Sequence, residues 1–279
     1  MTNPSIGKLF LVATPIGNLS DISLRAVETL QKVDFIAAED TRITRKLLEH
    51  LQIKKPLISY YKHNSRSSGK NVLKKILAGE SCALVTDAGT PGISDPGEDL
   101  VRSCAEENIP MVIIPGPCAA VSALVLSGFP SERFTFEGFL PTEKKKRSML
   151  LKNLKTEERT MVFYEAPHKL IRTLKDLNIS FGDRRISISR EMTKIYEETL
   201  RFTISEAITY FEDKPPRGEF VLVVKGADST HDTAEKLDEG IKSAEALVKN
   251  GMSVKDAVKK AADETGCSKN ALYKSIISD

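Results

Sequence analysis

The stretch Ser81-Cys-Ala-Leu-Val-Thr-Asp-Ala-Gly-Thr-Pro-Gly-Ile-Ser-Asp-Pro-Gly97 runs from an uncharged apolar segment into a turn built of glycine and proline. A short apolar run closed by such a turn is the pattern of a strand buried on both faces, as in parallel sheets. In an open α/β sheet, ligands bind at the carboxyl edge of the strands, and glycine there lets main-chain N–H and C=O groups come close to them. The segment from Asp87 to Gly97 is therefore expected to line a ligand site at a strand end.

The same unit repeats on either side. Leu9-Phe-Leu-Val-Ala13, Phe35-Ile-Ala-Ala38, Leu57-Ile-Ser-Tyr60, Cys82-Ala-Leu-Val85 and Met111-Val-Ile-Ile114 read as five strands, each followed by a helix-compatible segment. Such alternation gives an α/β fold with a mostly parallel sheet covered on both faces. Ser20 or Asp21 is placed to cap the helical segment ending at Lys32, and Pro96-Gly97 precedes another from Glu98 to Asn108.

Past Pro130 the rhythm changes. Phe134 to Leu140, Thr160 to Tyr164, Arg185 to Ser189, Thr199 to Ile204 and Glu219 to Val224 are strand-like with fewer helices between them, which indicates a mixed sheet. After Gly226 a polar linker, Ala227 to Thr233, leads into helical segments at Glu235 to Asn250, Ser253 to Glu264 and Ser268 to Ile277. The expected organisation is an N-terminal α/β domain over 1–130, a second α/β domain with a mixed sheet over 131–226 and a helical tail over 227–279. A ligand cleft between the first two is the default for such a pair. The tail, with Ala257, Ala261, Leu272 and Ile276 at helical spacing, fits a helix-turn-helix module offering Lys255, Lys259, Lys269 and Lys274 to phosphates. It fits a plain helical cap or dimer tail equally well.

A chain of 279 residues, 41% hydrophobic and 28% charged, can bury a sizeable core. Cys82, Cys104, Cys118 and Cys267 show neither a C-x-x-C pair nor a metal-ligand spacing, so no zinc site or disulfide framework is suggested and a cytoplasmic setting is expected. Leu9 to Ala13 is too short for a secretory signal. The uncharged run from Ile109 to Ser131 is long enough for a membrane span, but Pro115-Gly-Pro117 and Gly128 divide it into a strand, a turn and a buried helix. The net charge of +3 is unevenly spread: Arg42 to Lys75 holds ten Lys/Arg against the single acid Glu49, and Lys144-Lys-Lys-Arg147 forms a second cluster. Each cluster alone fits a solvated surface; together they favour a polyanion such as RNA.

Four turns follow strands and should share one sheet edge: Thr14-Pro-Ile-Gly-Asn18, Ala38-Glu-Asp-Thr-Arg42, Asp87 to Gly97, and Pro115-Gly-Pro-Cys-Ala-Ala120. No G-x-G-x-x-G follows the first strand, and Ser68-Gly-Lys-Asn71 lacks the upstream glycine and the Ser/Thr of a Walker loop. Nicotinamide and ATP chemistry are disfavoured accordingly.

In their order these turns, with Phe136-Glu-Gly-Phe-Leu-Pro141, Phe163-Tyr-Glu-Ala-Pro-His168, Arg190-Glu-Met-Thr-Lys194 and Arg217-Gly-Glu-Phe-Val221, mark the chain as one that closely resembles the tetrapyrrole methylase superfamily of S-adenosylmethionine-dependent methyltransferases. Within it the likeness is to the branch acting on small-subunit ribosomal RNA. The resemblance implies a homodimer that 2'-O-methylates a cytidine in the decoding region of 16S rRNA, within the 30S subunit. It also implies S-adenosylmethionine held by Pro15, Gly89, Thr90, Ile93, Cys118 and Ala119 on one side and by Tyr164, Glu165, Ala166, Gly218, Glu219 and Phe220 on the other. The chain has Gly89-Thr-Pro91 where many relatives carry Gly-Asp-Pro, so no acidic contact is carried over at that point.

A ribose hydroxyl is a weak acid, so a base, or a cation at the forming alkoxide, would assist its attack. Asp40, Glu165, Glu191 and Lys194 are the candidates, the alternative being fixed ion pairs within Glu39 to Arg42 and Arg190-Glu191. His168 is placed to cap a helix after Pro167. Arg42, Arg45, Lys62, Arg66, Lys70, Lys144, Lys145, Lys146 and Arg147 are the expected RNA contacts. His63, Tyr60 and Tyr61 could stack bases, although strand alternation should bury one tyrosine. A methyltransferase acting on a tetrapyrrole-like small molecule and a catalytically silent RNA-binding protein stay open as alternatives.

Overall fold

A computed structural model describes residues 6–62, 64–228 and 230–277. The chain divides into two compact units, one running to Lys152 and resuming over Thr160–Lys225, the other joining Asn153–Arg159 to the segment from Gly226 onward.

In the first unit, the expected repeat is realised as β1 (Leu9–Val12), α1 (Leu24–Lys32), β2 (Phe35–Ala38), α2 (Thr41–His50), β3 (Leu57–Ser59), α3 (Ser65–Leu77), β4 (Cys82–Val85), α4 (Glu98–Glu106), β5 (Met111–Ile114) and α5 (Ala119–Ser127). The strands lie in the order β3-β2-β4-β1-β5, every neighbouring pair parallel. Alternation along each strand sorts the core. Phe35 and Ala37 pack with Tyr60, Val72, Ile76 and Leu100, whereas Ile36 and Ala38 pack on the opposite face with Leu30, Val33 and Leu48. Ser23, not Ser20 or Asp21, caps α1 by accepting the Ala26 N–H at 3.1 Å; Asn18 caps a single 3-10 turn over Leu19–Asp21.

The run from Ile109 to Ser131 resolves as β5, a turn and α5, and no helix among the described residues is long and apolar enough to cross a membrane. Although α5 follows a strand of the first sheet, its inner face of Ala120, Ala123 and Leu124 packs on Val162, Val221 and Val223 of a second one. That sheet comprises β6 (Phe134–Phe139), β7 (Thr160–Glu165), β8 (Arg185–Arg190), β9 (Glu198–Thr203) and β10 (Phe220–Val224), in the order β6-β7-β10-β8-β9. Only β6 and β7 are parallel, so the sheet is mixed. The helices α6 (Lys144–Leu154), α7 (Leu170–Phe181) and α8 (Ile204–Asp213) complete the unit, with Phe211 of α8 meeting Phe220 of β10 edge to face.

In the second unit, α9 (Thr230–Lys249), α10 (Val254–Thr265) and α11 (Lys269–Ile277) enclose Ala244, Val258, Ala261, Ala262 and Leu272. The first of these helices opens at Thr230, ahead of the expected start at Glu235, so part of the supposed linker is helical. Gly266, left-handed at φ 72°, ends α10 as a helix C-cap glycine should.

Candidate functional site

The loops leaving β1, β2, β4 and β5 meet in one cradle at the carboxyl edge of the parallel sheet. Thr14 and Gly89 exchange main-chain hydrogen bonds of 2.9 and 3.0 Å, and the Thr14 hydroxyl donates to the Thr86 carbonyl at 3.1 Å. The β2 and β4 loops are tied reciprocally: Asp40 N–H donates to Asp87 Oδ1 at 3.0 Å, and Asp87 N–H donates to Glu39 Oε2 at 3.3 Å. Thr90 Oγ1 donates to the Pro117 carbonyl at 3.4 Å, joining the β4 loop to the β5 turn. Gly89 is held at φ +85°, a conformation that side chains rarely adopt, and is buried where the β1 and β4 loops meet.

The second sheet contributes the facing side. Tyr164, at the end of β7, accepts the Ala120 N–H on its phenolic oxygen at 3.2 Å and is flanked by Phe136 and Phe139 at ring separations of 5.1 and 5.6 Å. Burial pushes its phenol up to about 12, so it stays protonated. A Cβ added at Gly17 would lie 2.6 Å from Lys194 Cγ, which places the loop after β8 against the β1 loop. Gly218, at φ +85°, leaves room for the Glu191 carboxylate, with which an added Cβ would collide. That carboxylate accepts from Lys194 Nζ at 3.0 Å and from Glu219 N–H at 3.4 Å. Immediately after β7 lies an open cavity of about 350 Å³ lined by Pro167, His168, Ile171 and Pro216.

The edge carries a concentration of negative charge. Desolvation raises Glu39, Asp87 and Asp95 above the usual carboxylate range, with repulsion from neighbouring carboxylates adding to it. Asp95 is moved furthest, to about 7, by burial first and then by Glu39 and Asp87. Asp40 goes the other way, to about 2, because the Arg42 side chain and N–H both donate to it.

The four candidate catalytic groups are not equivalent. Glu165 is buried and turned away from the cradle: one carboxylate oxygen accepts the Ala166 N–H at 2.8 Å and the other the Thr173 hydroxyl. Asp40 caps α2 and pairs with Arg42 at 2.6 Å, a surface pair with an exposed guanidinium rather than an internal one. Glu191 pairs with Lys194 rather than with Arg190, which bonds Glu198 at 2.7 Å. His168 caps nothing; the turn Pro167–Lys169 has no side-chain cap, and His168 lines the cavity instead.

Among the expected RNA contacts, Arg42, Arg45, Lys62, Lys70, Lys144, Lys145 and Lys146 are exposed. Arg147 is not: it is 6% exposed, donating to Asp176 at 2.6 Å and to the Thr173 hydroxyl at 2.8 Å. Of the tyrosines, Tyr60 is fully buried and Tyr61 exposed. His63 and the Arg66 side chain lie outside the described residues. Lys255, Lys259, Lys269 and Lys274 are exposed on the second unit, Lys269 pairing with Asp263 at 2.9 Å. Sequence reasoning does not single out Asp95 or Thr173 as functional positions. Asp95 stands there only as part of a turn, and nothing local to Thr173 announces a partner eight residues upstream.

Comparison with known proteins agrees with this architecture. The family described as Tetrapyrrole (Corrin/Porphyrin) Methylases matches residues 8–208, and the RsmI C-terminal HTH domain matches residues 237–276. The chain is 48% identical over 272 residues, 96% of each chain, to a Synechocystis sp. protein named Ribosomal RNA small subunit methyltransferase I. A Thermotoga maritima protein of the same name is 50% identical over 223 residues, all of that protein but 80% of this chain. The solved structure of the cobalamin biosynthetic enzyme cobalt precorrin-4 methyltransferase shares the fold, with TM-score 0.59 at 15% identity over 81% of this chain and 97% of that one. With a family match spanning most of its length and the expected pair of sheets, the chain belongs to the tetrapyrrole methylase family.

Proposed function

We propose that this protein uses S-adenosylmethionine to methylate the ribose 2'-oxygen of a cytidine in the decoding region of 16S rRNA, acting as a homodimer on the 30S subunit in the cytoplasm. The observation that carries the reading is the likeness over 96% of both chains to a relative named for small-subunit ribosomal RNA methylation. The two-sheet cradle and the exposed lysines at the start of α6 fit it. Ile113, Val121 and Val125, exposed on β5 and α5, offer the apolar surface a homodimer would cover. The domain organisation we propose is 1–130 and 131–226 around the cofactor, with 227–279 as an RNA-capturing tail.

The residues present suit that cofactor. Glu39, Asp87 and Asp95 give the edge a field that favours a cation, as a sulfonium is. Pro15, Gly89, Thr90, Ile93, Cys118 and Ala119 would hold it from the first sheet, and Tyr164, Ala166, Gly218 and Glu219 from the second. Glu165 and Phe220 would take part through their main chains, since both side chains are buried. When bound, the cofactor supplies an electrophilic methyl group for direct displacement, and the cradle's share of the acceleration is positioning. Lys194, whose ammonium lies 3.0 Å from Glu191 and 3.9 Å from Glu219, is the candidate best placed to stabilise the forming alkoxide. Asp40, held near 2, is a weak base.

Incubation of 30S subunits with labelled cofactor, followed by nuclease mapping, should place the label on a cytidine ribose; labelling of a corrinoid instead would overturn the reading. Thr90→Arg with Ile93→Glu should abolish cofactor binding in calorimetry while 30S affinity stays within about two-fold, and retained cofactor binding would remove these residues from the site. In the same assay Lys194→Met should lower turnover with cofactor affinity retained.

A further inference from the structure

Arg147 reads in sequence as the last residue of a basic cluster, yet it is 6% exposed and ends a buried polar chain. Its Nε donates to Asp176 at 2.6 Å, and its terminal nitrogen donates to Thr173 Oγ1 at 2.8 Å. Thr173, 1% exposed, donates its own proton to Glu165 Oε2. Glu165, 4% exposed, accepts the Ala166 N–H at 2.8 Å through its other oxygen. Each hydroxyl and N–H in this chain has one direction: Arg147 can only donate, so Thr173 must accept from it and donate onward. A carboxylate and a guanidinium are costly to bury unless paired and hydrogen-bonded, which makes this arrangement hard to rearrange piecemeal.

The chain terminates on the peptide joining Glu165 to Ala166, at the end of β7 where Tyr164 turns to the opposite side and accepts the Ala120 N–H. Ala166 is extended, at φ −85° and ψ 148°, as the residue before Pro167 should be. Tyr164 and Ala166 therefore present one edge of the cradle while Glu165, between them, is held from behind by Thr173 of α7, which Arg147 of α6 bonds in turn.

We propose that Arg147 and Thr173 are positioning residues for the cofactor, acting through Glu165 to hold the Tyr164–Ala166 main chain in its binding geometry. The proposal rests on the functional reading above, in which Tyr164 and Ala166 contact S-adenosylmethionine. It assigns to Arg147 a role distinct from that of its neighbours Lys144, Lys145 and Lys146, which stay exposed.

The test compares the full chain with Thr173→Val, Thr173→Ser, Arg147→Met and Arg147→Lys. It measures S-adenosylmethionine affinity by calorimetry, the thermal midpoint, and the KM and kcat for methylation of 30S subunits. Loss of the hydroxyl leaves Glu165 and Arg147 each short of a buried partner, so Thr173→Val should raise the cofactor Kd and KM about ten-fold with kcat at saturating cofactor within about two-fold. Thr173→Ser should restore the affinity. A lowered thermal midpoint with unchanged cofactor Kd in Thr173→Val would overturn the proposal, as would an Arg147→Met variant that loses 30S affinity alone. Should Arg147→Met fail to fold, the Thr173→Val and Thr173→Ser pair decides. Absence of cofactor binding by the unsubstituted protein would instead sink the functional reading itself.

Discussion

Asp95 sits in surroundings that oppose its ordinary chemistry. Its carboxyl is moved to about 7 by desolvation, then by Glu39 and Asp87. Between the ordinary value near 3.8 and about 7, the folded state holds a proton that the unfolded state has released. Stability contributed here is therefore fullest below about pH 4 and is lost as pH rises through about 7. Asp95→Asn removes the charge, so unfolding in urea should show the variant gaining on the order of 1–2 kcal/mol at about pH 8, allowing for solvent screening of a half-buried group. The gain should vanish at about pH 4, and an equal gain at both would show that charge is not the cause. On the function proposed above, a sulfonium held in the cradle would relieve this cost.

Among the elements, α6 is built against its own dipole. It opens with Lys144, Lys145, Lys146 and Arg147 and has no acid in its first turn, although the positive end of the helix macrodipole lies there. Arg147 is compensated by Asp176 and Lys146 pairs with Glu143 at 2.8 Å, whereas Lys144 and Lys145 are exposed to solvent. Such an arrangement is unfavourable to the helix and suits the polyanionic substrate proposed above. Replacing Lys144, Lys145 and Lys146 by alanine should leave the thermal midpoint unchanged or slightly higher. The slope of log affinity for 30S subunits against log salt should fall by roughly 0.7 to 1 for each phosphate that is no longer neutralised. A slope identical to that of the unsubstituted protein would remove α6 from the RNA surface.

For the molecule as a whole, the helical unit has a core of its own around Ala244, Ala261 and Leu272, and it incorporates Asn153–Arg159 through the bond from Ala227 N–H to the Glu157 carbonyl. Ending the chain at Gly226 should accordingly leave cofactor affinity within about three-fold and weaken filter binding of 30S subunits by about ten-fold or more. Unchanged 30S affinity would make the unit a structural appendage.

The ten strands found among the described residues, the parallel character of the first sheet and the gathering of four loops at one edge are all legible in the order of residues. The reason is local: short apolar runs such as Cys82–Val85 are bounded by turns, and a parallel sheet leaves their carboxyl ends on one side. Which charges are available to a ligand is settled by packing between distant segments. Arg147 meets Asp176 across 29 positions of chain, and Glu165 meets Thr173 on a helix that follows it, so one run of four basic residues yields three surface cations and one interior anchor. Tyr60 and Tyr61 part in the same way, one into the core and one to solvent. Burial depends on what packs from afar, and charge, hydroxyl direction and proton affinity at the cradle follow from burial.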